Sequence, residues 1–141
     1  MDDRIEQQIT INAPLDRVWQ LVSEPGWWVP STMVGPIDHT PGHQVVREST
    51  QWGRIPVEVV RVEPKTYAAF RWASHAPGAQ LTDSNTTLVE FTVQPAGDAV
   101  TVTVTESGFA ALPEDVRENA WKANTDGWRQ ELAELKERAE S

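Results

Sequence analysis

Cysteine is absent from the 141-residue sequence, which excludes a disulfide framework, a cysteine nucleophile and a thiolate zinc site. The chain also lacks any apolar run near the roughly 20 residues that a membrane-spanning helix needs. Its polar start, MDDRIEQQ, has no signal-peptide pattern. Because a chain without cysteine suits a reducing compartment, we expect a soluble, cytoplasmic protein.

Basic residues are scarce. The 12 Lys and Arg residues are outnumbered by 21 Asp and Glu residues, and the formal net charge is −9 at pH 7. The basic residues occur singly along the chain, whereas nucleic acids and anionic membranes are bound by clusters of Lys and Arg. We expect neither a nucleic-acid partner nor insertion into a membrane.

Motifs for catalysis and for cofactors are also missing. The chain has no GxSxG elbow, no phosphate-binding glycine loop and no serine accompanied by an evident histidine and acid. His39 and His43 flank a predicted turn, but no third ligand has suitable spacing, so we expect no metal site. His75 lacks an evident partner for general-base catalysis. We expect no cofactor, and a binding protein rather than an enzyme.

Tryptophan, by contrast, is abundant. The chain has seven tryptophans against one tyrosine and three phenylalanines. Each buried tryptophan removes on the order of 200 Å² of surface from water, so the chain is expected to enclose something large and apolar. The length of 141 residues fits one domain with one hydrophobic core, covering residues 1–141.

The N-terminal quarter predicts a strand followed by short helical segments. Alternation of apolar and polar residues indicates a strand at residues 4–11. Pro14 suits the first position of a short helix, with Asp16 in its first turn. The Glu-Pro-Gly sequence at 24–26 ends that helix. Residues 27–30 are expected to form a second short helical or turn segment.

The rest of the chain predicts six strands and one long helix. Between residues 32 and 106 the apolar period is two, and turn signals divide the segment into six strands. After residue 108, apolar residues recur at helical spacing as far as residue 139. This order is typical of an α+β fold with an antiparallel sheet. Since a twisted seven-stranded sheet curls, we expect the helix to cover its concave face, with a cavity between them.

A family resemblance is carried by segments spread along the whole chain. The START-like, or SRPBCC, superfamily is similar at ITINAP (9–14), RVW (17–19), VRVEP (60–64), FRW (70–72), residues 87–95 and VTVTESGF (102–109). Asn124, Gly127 and Trp128 resemble the C-terminal helix of the branch homologous to the C-terminal domain of the activator of the heat-shock protein 90 ATPase.

The resemblance implies the helix-grip fold shared with the birch pollen allergen. In that fold a curved seven-stranded antiparallel sheet wraps around a long C-terminal helix, and two short helices follow the first strand. The superfamily includes lipid carriers, plant hormone receptors, polyketide cyclases and co-chaperone domains. The fold therefore predicts a cavity but leaves its contents open.

Glu106 is the most informative polar residue. It continues the parity of Val102 and Val104, so we expect its carboxyl group to be partly buried on the apolar side of the last strand. Such a group is neutral, paired or aimed at a ligand. Arg71 is the candidate partner. The alternative is a structural bond to a loop or to the start of the long helix.

The tryptophans divide by position. Trp27 and Trp28 are candidates for the cavity rim beside Met33, with ordinary core packing as the alternative. Trp52 and Trp72 are expected at the rim. The residues expected to contact a ligand are Trp27, Trp28, Met33, Arg71, Phe91, Val102, Val104, Glu106, Trp128 and Leu132.

Three functions remain open at this point. The first is binding of a small hydrophobic molecule, such as a lipid, in the cavity between sheet and helix. The second is protein interaction, as a homodimer or as a partner of a heat-shock protein 90 chaperone. The third is a cyclase-like or hydrolase-like enzyme that uses the cavity.

Overall fold

The computed structural model describes residues 3–76 and 78–141. In chain order the strands and helices are β1 (Arg4–Ile11), α1 (Leu15–Val22), β2 (Thr32–Val34), β3 (Gln44–Ser49), β4 (Gly53–Glu63), β5 (Tyr67–Trp72), β6 (Thr87–Ala96), β7 (Ala99–Ser107) and α2 (Glu114–Glu140). A single 3₁₀ turn, Phe109–Ala111, precedes α2. Within the described residues, no helix is both long and apolar enough to cross a membrane.

The strands form one curved antiparallel sheet in the order β1-β7-β6-β5-β4-β3-β2. β1 therefore pairs with the last strand of the chain, with Ile5 opposite Glu106 and Ile11 opposite Val100. The alternating valines of β7 are buried on the same face as Phe91 of β6. The prediction of an α+β fold with a seven-stranded antiparallel sheet and a long C-terminal helix is confirmed.

The second short segment after β1 consists of turns and not of a helix. Trp27 N donates to the Glu24 carbonyl, and Val29 N donates to the Gly26 carbonyl. Pro25 has no backbone N–H, and Gly26 has a φ of +78°, so a helix cannot continue through them. Two short helices were expected after the first strand, but the structure has one, α1.

Arg47 holds these turns against the sheet. Its side chain is almost fully buried, and Nη1 lies 2.8 Å from Glu24 Oε2. Nε donates to Ser31 Oγ at 2.8 Å. A Cβ atom at Gly26 would lie only 2.7 Å from Arg47 Cγ, so glycine is needed there for space as well as for conformation. Arg47 shares the inward parity of Val45 and therefore points away from the solvated face of β3.

The space between the sheet and α2 is filled mainly by aromatic rings. Trp27 and Trp28 extend from the turns and pack against Phe91 at ring-centroid distances of 5.3 and 5.5 Å. Trp128 on α2 packs against Phe91 at 5.7 Å. Leu132 and other apolar residues of the same helix stripe are also buried. The tryptophans thus supply much of the core.

Candidate functional site

Glu106 is the centre of a buried hydrogen-bond network. Its Oε2 accepts hydrogen bonds from Trp72 Nε1 at 2.9 Å and from Thr87 Oγ1 at 2.5 Å. Its Oε1 accepts hydrogen bonds from Trp128 Nε1 at 2.8 Å and from Asn124 Nδ2 at 3.0 Å. The carboxyl group, which has no exposed surface, therefore joins β5, β6 and β7 to α2.

Hydrogen bonds, and not an ion pair, accommodate this carboxyl group. Burial raises the pKa of Glu106, while the bonds from Thr87, Trp128, Trp72 and Asn124 oppose that rise. The indole N–H groups and the Asn124 NH₂ group can only donate, which suits an ionised carboxylate, and the Thr87 hydroxyl is the partner that can also accept a hydrogen bond. Among the described residues, no Lys, Arg or His forms an ion pair with it.

Arg71 is not the partner of Glu106. The strand register aligns Glu106 with Val89, and Val89 with Phe70, so Arg71 lies one residue out of phase, on the other face of the sheet. Its Nη1 lies 3.7 Å from Asp83 Oδ1, and its side chain is 42% exposed. The expected Glu106–Arg71 pair therefore does not form.

A cleft of about 370 Å³ opens beside the Glu106 network. The turns after α1, the sheet with its loops, and α2 enclose the cleft. The lining residues are Trp28, Val29 and Pro30 from the turns, Trp52, Ile55, Trp72, Ala73 and Ser74 from the sheet and its loops, and Ala123, Asn124, Gly127, Trp128, Gln130 and Glu131 from α2. The lining is mainly apolar, and none of the described residues in it is Lys, Arg or His.

The helix wall of the cleft has open space beside Gly127. Apart from the adjacent residues and the backbone of the helix itself, no atom lies within 4 Å of the position that a Cβ would take there. Gly127 and Trp128 lie three and four residues after Asn124, so all three share one side of the helix. Gly127 thus contributes volume to the cleft.

Glu131 supplies a second carboxyl group to the cleft, one turn beyond Gly127. Its side chain is half-buried. Burial, assisted by the charge of Glu134 and opposed by Arg138, raises the pKa of Glu131 to about 7. Near neutral pH this group is therefore divided between its neutral and its ionised form.

His39 and His43 lie apart from the cleft lining, whereas His75 directly follows the lining residue Ser74. His39 Nε2 lies 2.9 Å from the carbonyl oxygen of Ser23, and His43 Nδ1 lies 3.9 Å from Asp38 Oδ2. Across residues 3–76 and 78–141, no group of three or more His, Asp or Glu residues is placed to hold a metal ion. His39 instead connects its turn to the end of α1.

A comparison with known protein families identifies the family of this chain. The family described as "Activator of Hsp90 ATPase homolog 1-like protein" matches residues 12–140, which is nearly the whole chain. The chain belongs to this family. The resemblance of the chain to the SRPBCC superfamily, and of its C-terminal helix to the branch homologous to the activator of the heat-shock protein 90 ATPase, is confirmed. No curated protein matches the sequence significantly.

Several solved structures share the fold along nearly the full length of this chain. Protein MLL2253 from Mesorhizobium loti is 21% identical, with a TM-score of 0.73 over 95% of this chain and 94% of its own. The Aha1 dimer from Colwellia psychrerythraea is 17% identical, with a TM-score of 0.74 over 97% and 96%. DynU16, from the dynemicin biosynthetic locus, is 23% identical, with a TM-score of 0.71 over 97% of this chain but 47% of its own. At these identities the likeness establishes the fold.

The predicted ligand contacts fall into three places. Trp28 and Trp128 line the cleft, and Glu106 lies behind it, bonded to three of the lining residues. Five others are buried in the core away from the cleft: Trp27, Phe91, Val102, Val104 and Leu132. Met33 is partly buried on β2, and Arg71 is on the exposed side of the sheet. A direct contact between any of these residues and a ligand stays a prediction.

Four polar residues of the cleft were not among the predicted contacts: Ser74, Asn124, Gln130 and Glu131. Asn124 donates both to Glu106 and to Ser74 Oγ, the latter at 3.0 Å, and Glu131 lies one turn beyond Trp128. Asn124 and Glu131 lie four residues before and three residues after Trp128, so the helical spacing alone could have placed them on the same side of α2 as Trp128. Ser74 had no such signal, because it follows the end of β5 in an irregular segment.

Proposed function

We propose that this protein binds a small, largely apolar molecule in the cleft between the curved sheet and α2. The observation that carries the proposal is the cleft itself, with a volume of about 370 Å³ and four tryptophans in its lining. Binding sites for small molecules are typically concave, roughly 300–1,000 Å³ in volume and lined by apolar and aromatic side chains with a few polar groups.

The arrangement of the walls favours binding with little rearrangement. Trp72 and Trp128 are each fixed by a hydrogen bond to Glu106, and Asn124 is fixed by both Glu106 and Ser74. Side chains that are already ordered lose little conformational entropy when a ligand binds. Asn124, Ser74 and Glu131 provide the polar contacts that would orient a ligand.

A neutral fluorescent probe tests this function. We expect N-phenyl-1-naphthylamine to bind saturably, with enhanced probe emission and altered tryptophan emission. Gly127→Leu places a side chain in the open space of the cleft and should weaken binding by at least about tenfold, since Leu is also a better helix former than Gly and the fold should persist. Ala133→Leu, at an exposed position of the same helix, is the matched control.

The outcomes are distinct. Saturable binding that is lost in Gly127→Leu and retained in Ala133→Leu supports the cleft as the site. Equal affinity in wild-type protein and Gly127→Leu, with both proteins folded by circular dichroism, places the probe elsewhere and contradicts the proposal. No saturable binding of any neutral or charged aromatic probe contradicts it as well.

A second candidate function is protein association. The family is described by its likeness to an activator of the Hsp90 ATPase, and the Colwellia psychrerythraea Aha1 structure is of a dimer. Among the described residues, Ile37 and Trp52 are large apolar side chains that are about half exposed, at 48% and 51%. Sedimentation equilibrium tests the homodimer: a mass near 15.8 kDa at all concentrations contradicts it, and a mass near twice that supports it.

A further inference from the structure

The walls of the cleft are suited to a positive charge. Its four tryptophans come from the turns, the β3–β4 connection, the end of β5 and the middle of α2. The π face of an indole ring carries negative electrostatic potential, and tryptophan is the best of the aromatic side chains at binding cations. Trp52 is 51% exposed and Trp72 is partly exposed, whereas Trp28 and Trp128 are only 3% and 2% exposed, so the first two supply most of the accessible indole surface. Accessible indole faces in one cleft favour a cation over a neutral group.

The indole N–H groups of two walls are already used. Trp72 and Trp128 both direct their Nε1 atoms at Glu106, at 2.9 and 2.8 Å. The N–H is the positive edge of the ring and the part that would bind an anionic or carbonyl oxygen of a ligand. With these donors occupied, Trp72 and Trp128 have no indole N–H left to bind a ligand oxygen.

Among the described residues that line the cleft, Glu131 is the charged one. Glu131 is in the lining, and within the described part of the chain it forms no ion pair with Lys, Arg or His. Glu106 lies behind the lining. Arg138 is the cation that acts on Glu131, and it is an exposed residue two turns further along α2. A bound cation would give Glu131 an ion-pair partner that the described residues do not provide.

From these features we propose that the cleft is selective for an organic cation, an ammonium or quaternary ammonium group attached to an apolar body, with Glu131 as its counter-ion. The proposal rests on the ligand-binding function proposed above and names its ligand class. The apolar body lies against the tryptophans and aliphatic residues, and the cationic group lies toward Glu131. An anionic ligand would lack any basic partner and would face the Glu131 carboxylate.

Three probes that share one ring system and differ in charge test the inference. They are (1-naphthylmethyl)trimethylammonium, 1-naphthalenemethanol and 1-naphthaleneacetate, titrated calorimetrically at pH 8 and moderate salt. We expect the cation to bind at least about tenfold more tightly than the alcohol, and the acetate to bind most weakly. Glu131→Gln should lower affinity for the cation by about fivefold or more and leave affinity for the alcohol unchanged.

The control is Glu137→Gln, the same change at an exposed position of α2, which should alter neither affinity. If the alcohol binds as tightly as the cation, or if Glu131→Gln and Glu137→Gln bind the cation equally, the charge selectivity is contradicted while the binding function stands. If none of the three probes and no N-phenyl-1-naphthylamine binds, the binding function itself is contradicted.

Discussion

The indole Nε1 of Trp128 lies 2.8 Å from Oε1 of Glu106, so a buried carboxyl group on β7 fixes the middle of α2. The other oxygen accepts a hydrogen bond from Trp72, at the end of β5. Two of the four tryptophans that line the cleft are therefore oriented by one side chain that is itself outside the lining. Glu106 serves as a positioning residue in this account, and the ligand contacts belong to the residues in front of it.

Replacing Glu106 with glutamine should destabilise the fold. The new amide NH₂ would face donors from Trp72, Thr87, Trp128 or Asn124, and at least one buried donor would lose its acceptor. An unsatisfied buried donor costs about 1–3 kcal/mol, so we expect a loss of that size in the free energy of unfolding in urea.

Glu137→Gln provides the comparison for this change, because its side chain is exposed on the same helix. It should change the free energy of unfolding by less than about 0.5 kcal/mol. Equal stabilities of Glu106→Gln and wild-type protein would show that the network contributes nothing measurable to the fold.

The stability of the protein should depend on Glu131 in a defined pH range. Burial raises the pKa of Glu131 from its ordinary value near 4.5 to about 7, so the folded state holds the proton more tightly than the unfolded state does. This contribution is fully present below the ordinary pKa and is lost as pH rises through about 7. Wild-type protein should therefore lose stability between pH 5 and 8 relative to Glu131→Gln.

Urea unfolding of both proteins at the two pH values measures this effect, and the difference in their free energies of unfolding is the quantity of interest. Subtracting the free energy of unfolding of one protein from that of the other removes the contributions of groups that are common to both and do not interact with residue 131. A difference that is the same at pH 5 and pH 8 would mean that the pKa of Glu131 is not raised.

Binding of the naphthyl cation should strengthen with pH. If the ionised form of Glu131 is the competent one, its fraction rises from about 0.1 to about 0.9 between pH 6 and 8, and affinity rises by up to about tenfold. Glu134 and Arg138 are the charged groups that act on Glu131, and His75 follows Ser74 of the lining. The affinity of Glu131→Gln for the cation should not change with pH, whereas His75→Asn should keep the pH dependence of the wild-type protein. A profile retained in Glu131→Gln would assign the titration to another group.

Arg47 should be far more important for stability than the exposed arginines of neighbouring strands. Its side chain is 5% exposed and pairs with Glu24, whereas Arg54 is 67% exposed and pairs with Glu48. Removing one partner of a buried ion pair costs about 3–5 kcal/mol, and we expect Arg47→Ala to be near the lower value because Glu24 keeps some contact with water. Arg54→Ala should cost less than about 1 kcal/mol. Equal losses in thermal or urea unfolding would contradict this assignment.

The fold was largely predictable because its elements have clear periodicities. β7 alternates three valines with three threonines, and the apolar spacing of α2 continues for several turns, so their buried faces follow from the sequence. The turns after α1 were less clear. Pro25 and Gly26 stop a helix, but the sequence does not show that Arg47, some twenty residues later, holds the turns in place.

The site depends on relationships that a single sequence does not encode locally. Parity within β5 does not give its register against β6 and β7, and an error of one residue was enough to pair Glu106 with Arg71 instead of Trp72. Likewise, counting tryptophans predicted an enclosed apolar space, but not that Trp27 and Trp28 would fill its centre and confine the open volume to one side.

The most direct test of the account is an NMR titration of the tryptophan indole N–H signals, assigned by single Trp→Phe variants. Addition of (1-naphthylmethyl)trimethylammonium should shift the signals of Trp28, Trp52, Trp72 and Trp128, which line the cleft, in a saturable manner. The signals of Trp19 and Trp121, which do not line it, should stay in place. Absence of shifts at the four cleft tryptophans, or larger shifts at Trp19 or Trp121, would contradict the claim that this cleft is the binding site.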